Sequence, residues 1–493
     1  MKKIVLCGAA LLAAFVLQAA FSSAAGQAGK FNPALERILA APAAADTPVK
    51  AWIFFKDKGS VDPAVLKQMS VDARGSLSAR AILRRAKTRG AADPVDFEDL
   101  PVFAPYIDAV RPLVKNLRTE SRWFNAVSVE AAGDALTRIA AQEDVLSIDV
   151  VRGFKRVEPS IALETGPASP SAAVRPPSVL PPLKSIYGPS YRQIEQIRVR
   201  ALHEMGLTGR GILVGLLDVG FRKTHEAFRF ANLIAERDFV MKDDDVQRNW
   251  ADPLDYSDAH GTATWSLLGG YAPGKIIGPA FGADFILAKT EDDRSETPIE
   301  EDYWAAAIEW MEGYGVDVVS SSLGYTDWYQ FKDMDGKTAV TTKAANRATA
   351  LGVVVVNAAG NERRSAWGHI IAPADGFDVI AVGAVDANGI IASFSSPGPT
   401  YDGRIKPEVC AMGVRTIVAA STAPTGEANY QWGSGTSYAT PLVAGVAALL
   451  LEAHPTWTVA QVRDALMTTA GNVAAPNYDY GWGIVNAAAA VKK

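Results

Sequence analysis

Three side chains stand where their types and surroundings could do nucleophilic chemistry: Asp218, His260 and Ser437. Asp218 ends the run Gly211-Ile212-Leu213-Val214-Gly215-Leu216-Leu217, which puts a carboxylate at the carboxyl end of a predicted buried strand. Buried strands also end in Asp for ordinary turn or capping reasons, so this position alone leaves both readings open. His260 opens His260-Gly261-Thr262, the expected first turn of a helix through Leu268. An unperturbed imidazole titrates close to neutrality and can serve as a general base. The other four histidines, His203, His225, His369 and His454, have no comparable setting and read as structural or exposed. Ser437 lies in Gly433-Ser434-Gly435-Thr436-Ser437-Tyr438-Ala439-Thr440-Pro441, ahead of the apolar helix Leu442 to Leu450. The glycines allow close approach, and Pro441 is tolerated in a helix's first turn. A serine at a helix N-terminus sits where unpaired amides and the helix dipole favour the negative charge that nucleophilic attack creates.

The elements that must position these residues follow from the hydrophobic pattern. From about Tyr191 onward short apolar runs alternate with helical patterns, and five runs read as strands buried on both faces: 212–217, 283–288, 316–320, 353–357 and 379–385. That alternation predicts an α/β fold with a parallel sheet and helices on both faces. Ligands of such sheets bind beyond the carboxyl ends of the strands, where Asp218 stands. Upstream, strands at 49–55, 125–129 and 145–150, an apolar-rich stretch from Tyr106 to Leu117 and a helix from Gly133 to Gln142 predict a small α+β domain over about 47–153. Within it, Leu77 to Thr88 carries apolar positions at Leu77, Ala81, Ile82 and Leu83 among arginines, as a surface helix would. Prolines recur from Pro159 to Pro182 without apolar periodicity, so 154–189 reads as a linker.

Composition narrows the function classes. The 493 residues exceed one ordinary domain, and a net charge of −5 gives no reason to expect nucleic acid as a partner. Lys2 and Lys3, the largely apolar stretch Ile4 to Phe21 and the small residues Ser23-Ala24-Ala25 predict a cleaved signal peptide over 1–25, hence a secreted or periplasmic protein. No other stretch reads as long enough to span a bilayer, so no stable membrane insertion is expected after signal removal. Of two cysteines, Cys7 lies in the signal and Cys410 reads as a small core residue.

With these motifs in order, the chain resembles the subtilisin-like serine proteases, whose triad also runs Asp, His, Ser. The resemblance covers about 190–491. It includes Ser322-Leu323-Gly324, the Ala358-Ala359-Gly360-Asn361 turn, Phe394-Ser395-Ser396, Gly398-Pro399-Thr400, Gly403-Arg404 with Lys406-Pro407, and Gly481-Trp482-Gly483-Ile484-Val485-Asn486. It implies a parallel-sheet subtilisin-like catalytic domain over 190–493, in which Asp218 orients His260, His260 takes the serine proton and Ser437 forms an acyl-enzyme on a polypeptide substrate. Asn361 matches the family's oxyanion-hole amide. Ser322-Leu323-Gly324 and Ala358-Ala359-Gly360 match the walls of its specificity pocket, and Ile371, near the pocket's base, stands where many relatives have glycine. The region 47–153 resembles the family's inhibitory chaperone propeptides, most clearly in 121–129 and 144–148, which implies a self-processing zymogen with its own propeptide as inhibitor. A monomer is expected, with no required cofactor. Calcium is a common structural ion in such proteins; Asp243-Asp244-Asp245 and Asp327 with Asp333 and Asp335 are oxygen-rich, but neither run completes a twelve-residue loop, and solvated acidic loops are the plain reading. Three departures bear on the cleft: Val219 after Asp218 where Thr is common, Tyr438 in place of the frequent Met, and Met412 where Pro-Gly usually follows. Two other readings share these motifs, a catalytically silent peptide-binding protein and a peptide acyl-transferase.

Overall fold

The computed structural model describes residues 29–40, 48–60, 62–90, 93–151, 186–248, 258–292, 300–326, 329–421 and 429–493. The expected signal peptide and most of the expected linker lie outside these residues. Contacts divide the chain into two compact units: one formed by 1–75 and 95–152, the other by 76–94 and 153–493.

The first unit is built on four antiparallel strands, β1 (Val49–Phe55), β2 (Asn116–Ser121), β3 (Ala126–Ala131) and β4 (Val145–Val150), in the spatial order β2-β3-β1-β4. Alternate residues of β1, Val49, Ala51, Ile53 and Phe55, are buried in one core with Leu136 and Ile139 of the helix Gly133–Ala140. This is the period-2 face against a period-3.6 stripe that the sequence implies. A short helix, Pro33–Leu39, precedes the expected start at 47; Asn32 caps it by accepting from Leu35 N at 2.7 Å, and Phe31 bridges to Ile148.

In the second unit seven strands, β5 (Leu213–Asp218), β6 (Asn232–Asp238), β7 (Asp284–Lys289), β8 (Val318–Ser321), β9 (Val354–Ala358), β10 (Ile380–Val385) and β11 (Val409–Met412), form one parallel sheet in the order β11-β10-β9-β8-β5-β7-β6. Every residue of β5, β8, β9, β10 and β11 is buried, which requires cover on both faces. The chain leaves β5 toward β6 and β7 on one side and toward β8 on the other, so the sheet's topological switch lies beside β5. A crevice is expected at the carboxyl ends there.

Two strands escape the apolar pattern. Edge strand β6 carries Asn232, Glu236, Arg237 and Asp238 and is largely open to solvent, while β11 has only four residues. The eighteen-residue helix Thr436–Ala453 corrects the expectation that no stretch beyond the signal could span a bilayer: by length and composition it could. It is instead a core helix, buried along almost its whole length, and its small residues Ala439, Ala444, Gly445, Ala447 and Ala448 allow that close packing.

The helix Ala79–Arg89 departs most from its sequence pattern. Leu83 is 68% exposed, whereas Arg84 and Arg85 are 2% and 0% exposed. Of the expected apolar face, Leu77 and Ala81 are buried and Ile82 is half-buried, but Leu83 points to solvent while Arg84 and Arg85 point inward, and residues 76–94 belong to the second unit. The side chains that receive these arginines supply the reason, described below.

Candidate active site

Asp218 ends central strand β5 and is buried, and His260 lies in the first turn of the helix Ala259–Gly269. His260 Nδ1 is 2.7 Å from Asp218 Oδ1. The carboxylate accepts two further bonds, at Oδ1 from Val219 N at 2.8 Å and at Oδ2 from the Thr264 hydroxyl at 2.9 Å. Thr264 thus provides a hydroxyl donor that Val219 lacks. It sits four residues after His260 on the same helix, and that i, i+4 spacing is the sequence signal that could have identified it. Gly261 is required here because a Cβ would meet Gly220 O at 2.0 Å, so the histidine helix approaches the end of β5 backbone to backbone.

Ser437 is the second residue of the helix Thr436–Ala453, buried beside the same crevice. Its hydroxyl donates to Ser322 O at 3.2 Å, and the Ser322 hydroxyl donates to Ser437 O at 2.9 Å, tying the serine helix to the segment after β8. Among the described residues no hydrogen bond joins Ser437 to His260, although both line one cavity of about 410 Å³. Hydrogen bonds of this kind are often loose before substrate binds. Tyr438 is buried with its ring 6.0 Å from the imidazole, and Met412 is buried at the end of β11.

Asn361 lines the same cavity. Its Oδ1 accepts from Thr436 N at 2.9 Å and from the Thr436 hydroxyl at 3.0 Å. The backbone N–H donor identifies that atom as the amide oxygen, which leaves Nδ2 as the donor of a residue that lines the cavity.

The expected wall residues Ser322, Leu323, Gly324, Ala358, Gly360 and Ile371 also line the cavity. Ala359 lies behind it, fully buried, with its N–H on Val382 O and its carbonyl accepting from Ile371 N at 3.3 Å. Ile371 fills the space between two glycines: a Cβ on Gly324 would come within 2.0 Å of its Cδ1, and one on Gly360 within 2.9 Å of its Cγ2. Several other cavity residues were not singled out from the sequence, among them Glu291 and Tyr325. Glu291, three residues past β7's Ala288, is buried and accepts from the Tyr325 hydroxyl at 2.7 Å.

The remaining histidines are occupied elsewhere. His203 Nε2 lies 2.7 Å from Pro279 O, His225 Nε2 3.0 Å from Asn429 O and His454 Nε2 2.9 Å from Val491 O, while His369 stacks on Phe331. Burial lowers the pKa of His203 and of His225, which favours neutral, structural rings. Cys410 is fully buried, and burial pushes its thiol up to about 12, away from the thiolate that reactivity needs. Among the described residues no group of three or more His, Cys, Asp or Glu side chains converges as metal holders. Asp335 spends its oxygens on its own turn, accepting from Lys337 N, Thr338 N and the Thr338 hydroxyl; Asp243 accepts from Asp245 N.

A parallel α/β sheet with an acid–imidazole pair and a helix-borne serine at its carboxyl edge has the make-up of a serine-type hydrolase. Residues 209–483 match the Subtilase family, and residues 50–164 match the peptidase S8 propeptide domain of Bacteroidota. Subtilisin E of Bacillus subtilis (strain 168) is 35% identical over 301 residues, 61% of this chain and 70% of that protein. M-protease of Shouchella clausii (strain KSM-K16) is 30% identical over 370 residues, 74% of this chain and 87% of that protein. Among solved structures, fervidolysin from Fervidobacterium pennivorans, described as a keratinolytic enzyme related to subtilisin, shares the fold with a TM-score of 0.59 over 91% of this chain and 61% of that one, at 21% identity. The chain belongs to the subtilase family: it is a subtilisin-like serine endopeptidase with an S8 propeptide domain ahead of its catalytic domain.

Proposed function

We propose that this chain is an exported, self-processing zymogen that hydrolyses peptide bonds through Asp218, His260 and Ser437. The observation that carries the reading is the buried 2.7 Å contact between Asp218 and His260 Nδ1, in the cavity that also holds the helix-borne Ser437. With Nδ1–H held by the carboxylate, the imidazole presents Nε2 as the proton acceptor. Ser437 Oγ attacks the scissile carbonyl, its proton passes to Nε2, and the tetrahedral oxyanion is met by Asn361 Nδ2 and the backbone N–H of Ser437. Collapse breaks the C–N bond, the leaving amine takes the proton from His260, and water then releases the acyl group by the same steps in reverse. The apolar segment at 4–21 supports export. Labelling with a fluorophosphonate tests the reading: the expected result is one adduct per molecule, on Ser437. An intact, folded enzyme that takes no label excludes it in favour of a silent peptide binder. Products formed mainly by transfer to an added amine, with little hydrolysis, would instead indicate an acyl-transferase.

Specificity follows from Ile371. Its branched side chain occupies the gap between the Gly324 and Gly360 walls, so the pocket is shallow and suits medium apolar side chains over Lys, Arg or large aromatics. In Ile371→Gly the selectivity for Phe over Val on the acyl side of the cut is expected to rise about 10- to 100-fold, the range that a few methylene-sized changes in a pocket produce. Profiling a peptide library with both proteins checks this, and a dominant preference for basic residues in the wild type would sink it.

A further inference from the structure

Glu291 is a cavity residue that the proposed mechanism leaves unused. It stands two residues past the end of β7, is 5% exposed and lines the same cavity as His260 and Ser437. The Tyr325 hydroxyl donates to its Oε1 at 2.7 Å, and the Thr290 hydroxyl lies 3.5 Å from the same oxygen. Tyr325 is itself buried; burial and the carboxylates of Glu291 and Glu300 hold its phenol well above the usual range, so it remains a neutral donor. The backbone sets where the Glu291 carboxylate stands. In the sheet β5 lies between β7 and β8, and β9 lies on the far side of β8. Thr290 N donates to Asp218 O at 3.0 Å, which ties the segment after β7 to the end of β5. Tyr325 reaches across from the segment after β8: its N–H donates to Ala372 O at 3.0 Å, beside Ile371, while its hydroxyl meets Glu291.

Ile371 and Glu291 therefore lie on opposite sides of the segment 322–325. A peptide placed for attack by Ser437 puts the side chain at the cut into the gap between Gly324 and Gly360 that Ile371 shortens. Successive side chains of an extended chain point to opposite sides. The residue immediately before the one at the cut thus turns away from Ile371, toward the β5–β7 side of the cavity, which His260 and Glu291 line. We propose that Glu291 is a specificity-determining residue that favours Lys or Arg at this preceding position; the proposal rests on the peptidase reading above and is separate from the apolar choice at the cut itself. The carboxylate is already withdrawn from bulk water, so a cation entering the cavity meets it where the local dielectric is low and a charge-assisted hydrogen bond is about twice as strong as a neutral one. An apolar side chain would cover the carboxylate and supply no such bond.

The test compares two peptides that share Val at the cut and carry either Lys or norleucine, an uncharged side chain of similar size, at the residue before it. Processed wild-type enzyme is expected to cleave the Lys peptide with a kcat/KM about tenfold higher or more. Glu291→Gln keeps the shape and an acceptor oxygen for Tyr325 but removes the charge, and it should bring the ratio close to one. If that variant does not fold, Glu291→Asp, which withdraws the charge by a methylene, should lower the ratio severalfold. The wild-type ratio should persist at about 0.5 M salt, since charges buried in a cavity are screened far less than charges in water. A ratio that vanishes there would place its cause in the net negative charge of the chain and overturn the inference. A wild-type ratio near one, or the same ratio in wild type and Glu291→Gln, overturns it as well. Failure of the peptidase reading gives a different result, in which neither peptide is cut and no fluorophosphonate label is taken. Calorimetric binding of the same two peptides, which needs no turnover, then decides the inference by the ratio of their affinities.

Discussion

Ser437→Ala, expressed alone and purified, is expected to run as one chain from near Gly26 to Lys493, whereas the wild type should yield a mature chain beginning between Lys155 and Tyr187. The substitution removes the nucleophile and puts a smaller apolar side chain at a buried helix position, so the fold should survive while cleavage stops. What is lost locally is the bond from the hydroxyl to Ser322 O, and the reciprocal bond from the Ser322 hydroxyl to Ser437 O remains available to hold the helix. Export should be unaffected, since a signal peptidase makes the first cut. Turnover of added peptide should fall by about 10⁶, a size known from a subtilisin and not obtained from this geometry. Intact-mass spectrometry of both proteins gives the termini directly. A mutant trimmed at the same bond and rate as wild type, with no other protease present, would rule out processing by Ser437.

Asn361→Ala should keep the fold and lower kcat by roughly 10²–10³ with little change in KM. That range again comes from a subtilisin that lost one oxyanion donor. The expectation for this chain rests on the two bonds from Thr436 to Asn361 Oδ1, which fix the orientation of an amide that lines the cavity. A donor held in that way needs no reorganisation when charge develops on the substrate oxygen, so its loss falls on the transition state and not on ground-state binding. Steady-state kinetics on a peptide substrate separates the two parameters. A variant with near-wild-type kcat would mean that the oxyanion is met by other groups, and a raised KM with unchanged kcat would assign Asn361 to substrate binding.

The parts of this protein that depend on local pattern were legible in its residues. Buried parallel strands read as unbroken apolar runs, so β5, β7, β8, β9 and β10 were legible to within two residues at most ends, and Asp218 at the end of β5 followed from that. The small-residue motif around Ser437 was legible because a helix start packed close to its neighbours tolerates few residue types. Tertiary structure decided what depends on partners distant in sequence. Edge strand β6 pairs on one side only and keeps polar side chains, so it has no apolar run to read. Thr264 became a partner of the Asp218 carboxylate only when the histidine helix was laid against the end of β5. Ile371 became a plug only when the chain brought Gly324 and Gly360 to either side of it. The helix Ala79–Arg89 shows the limit most clearly. Pattern reading assigns arginines to water because a lone buried charge is costly, yet Glu312 and the carbonyls at two helix ends, more than two hundred residues away, make the interior the favourable place for Arg84 and Arg85. Local spacing carries no information about acceptors that only folding brings together.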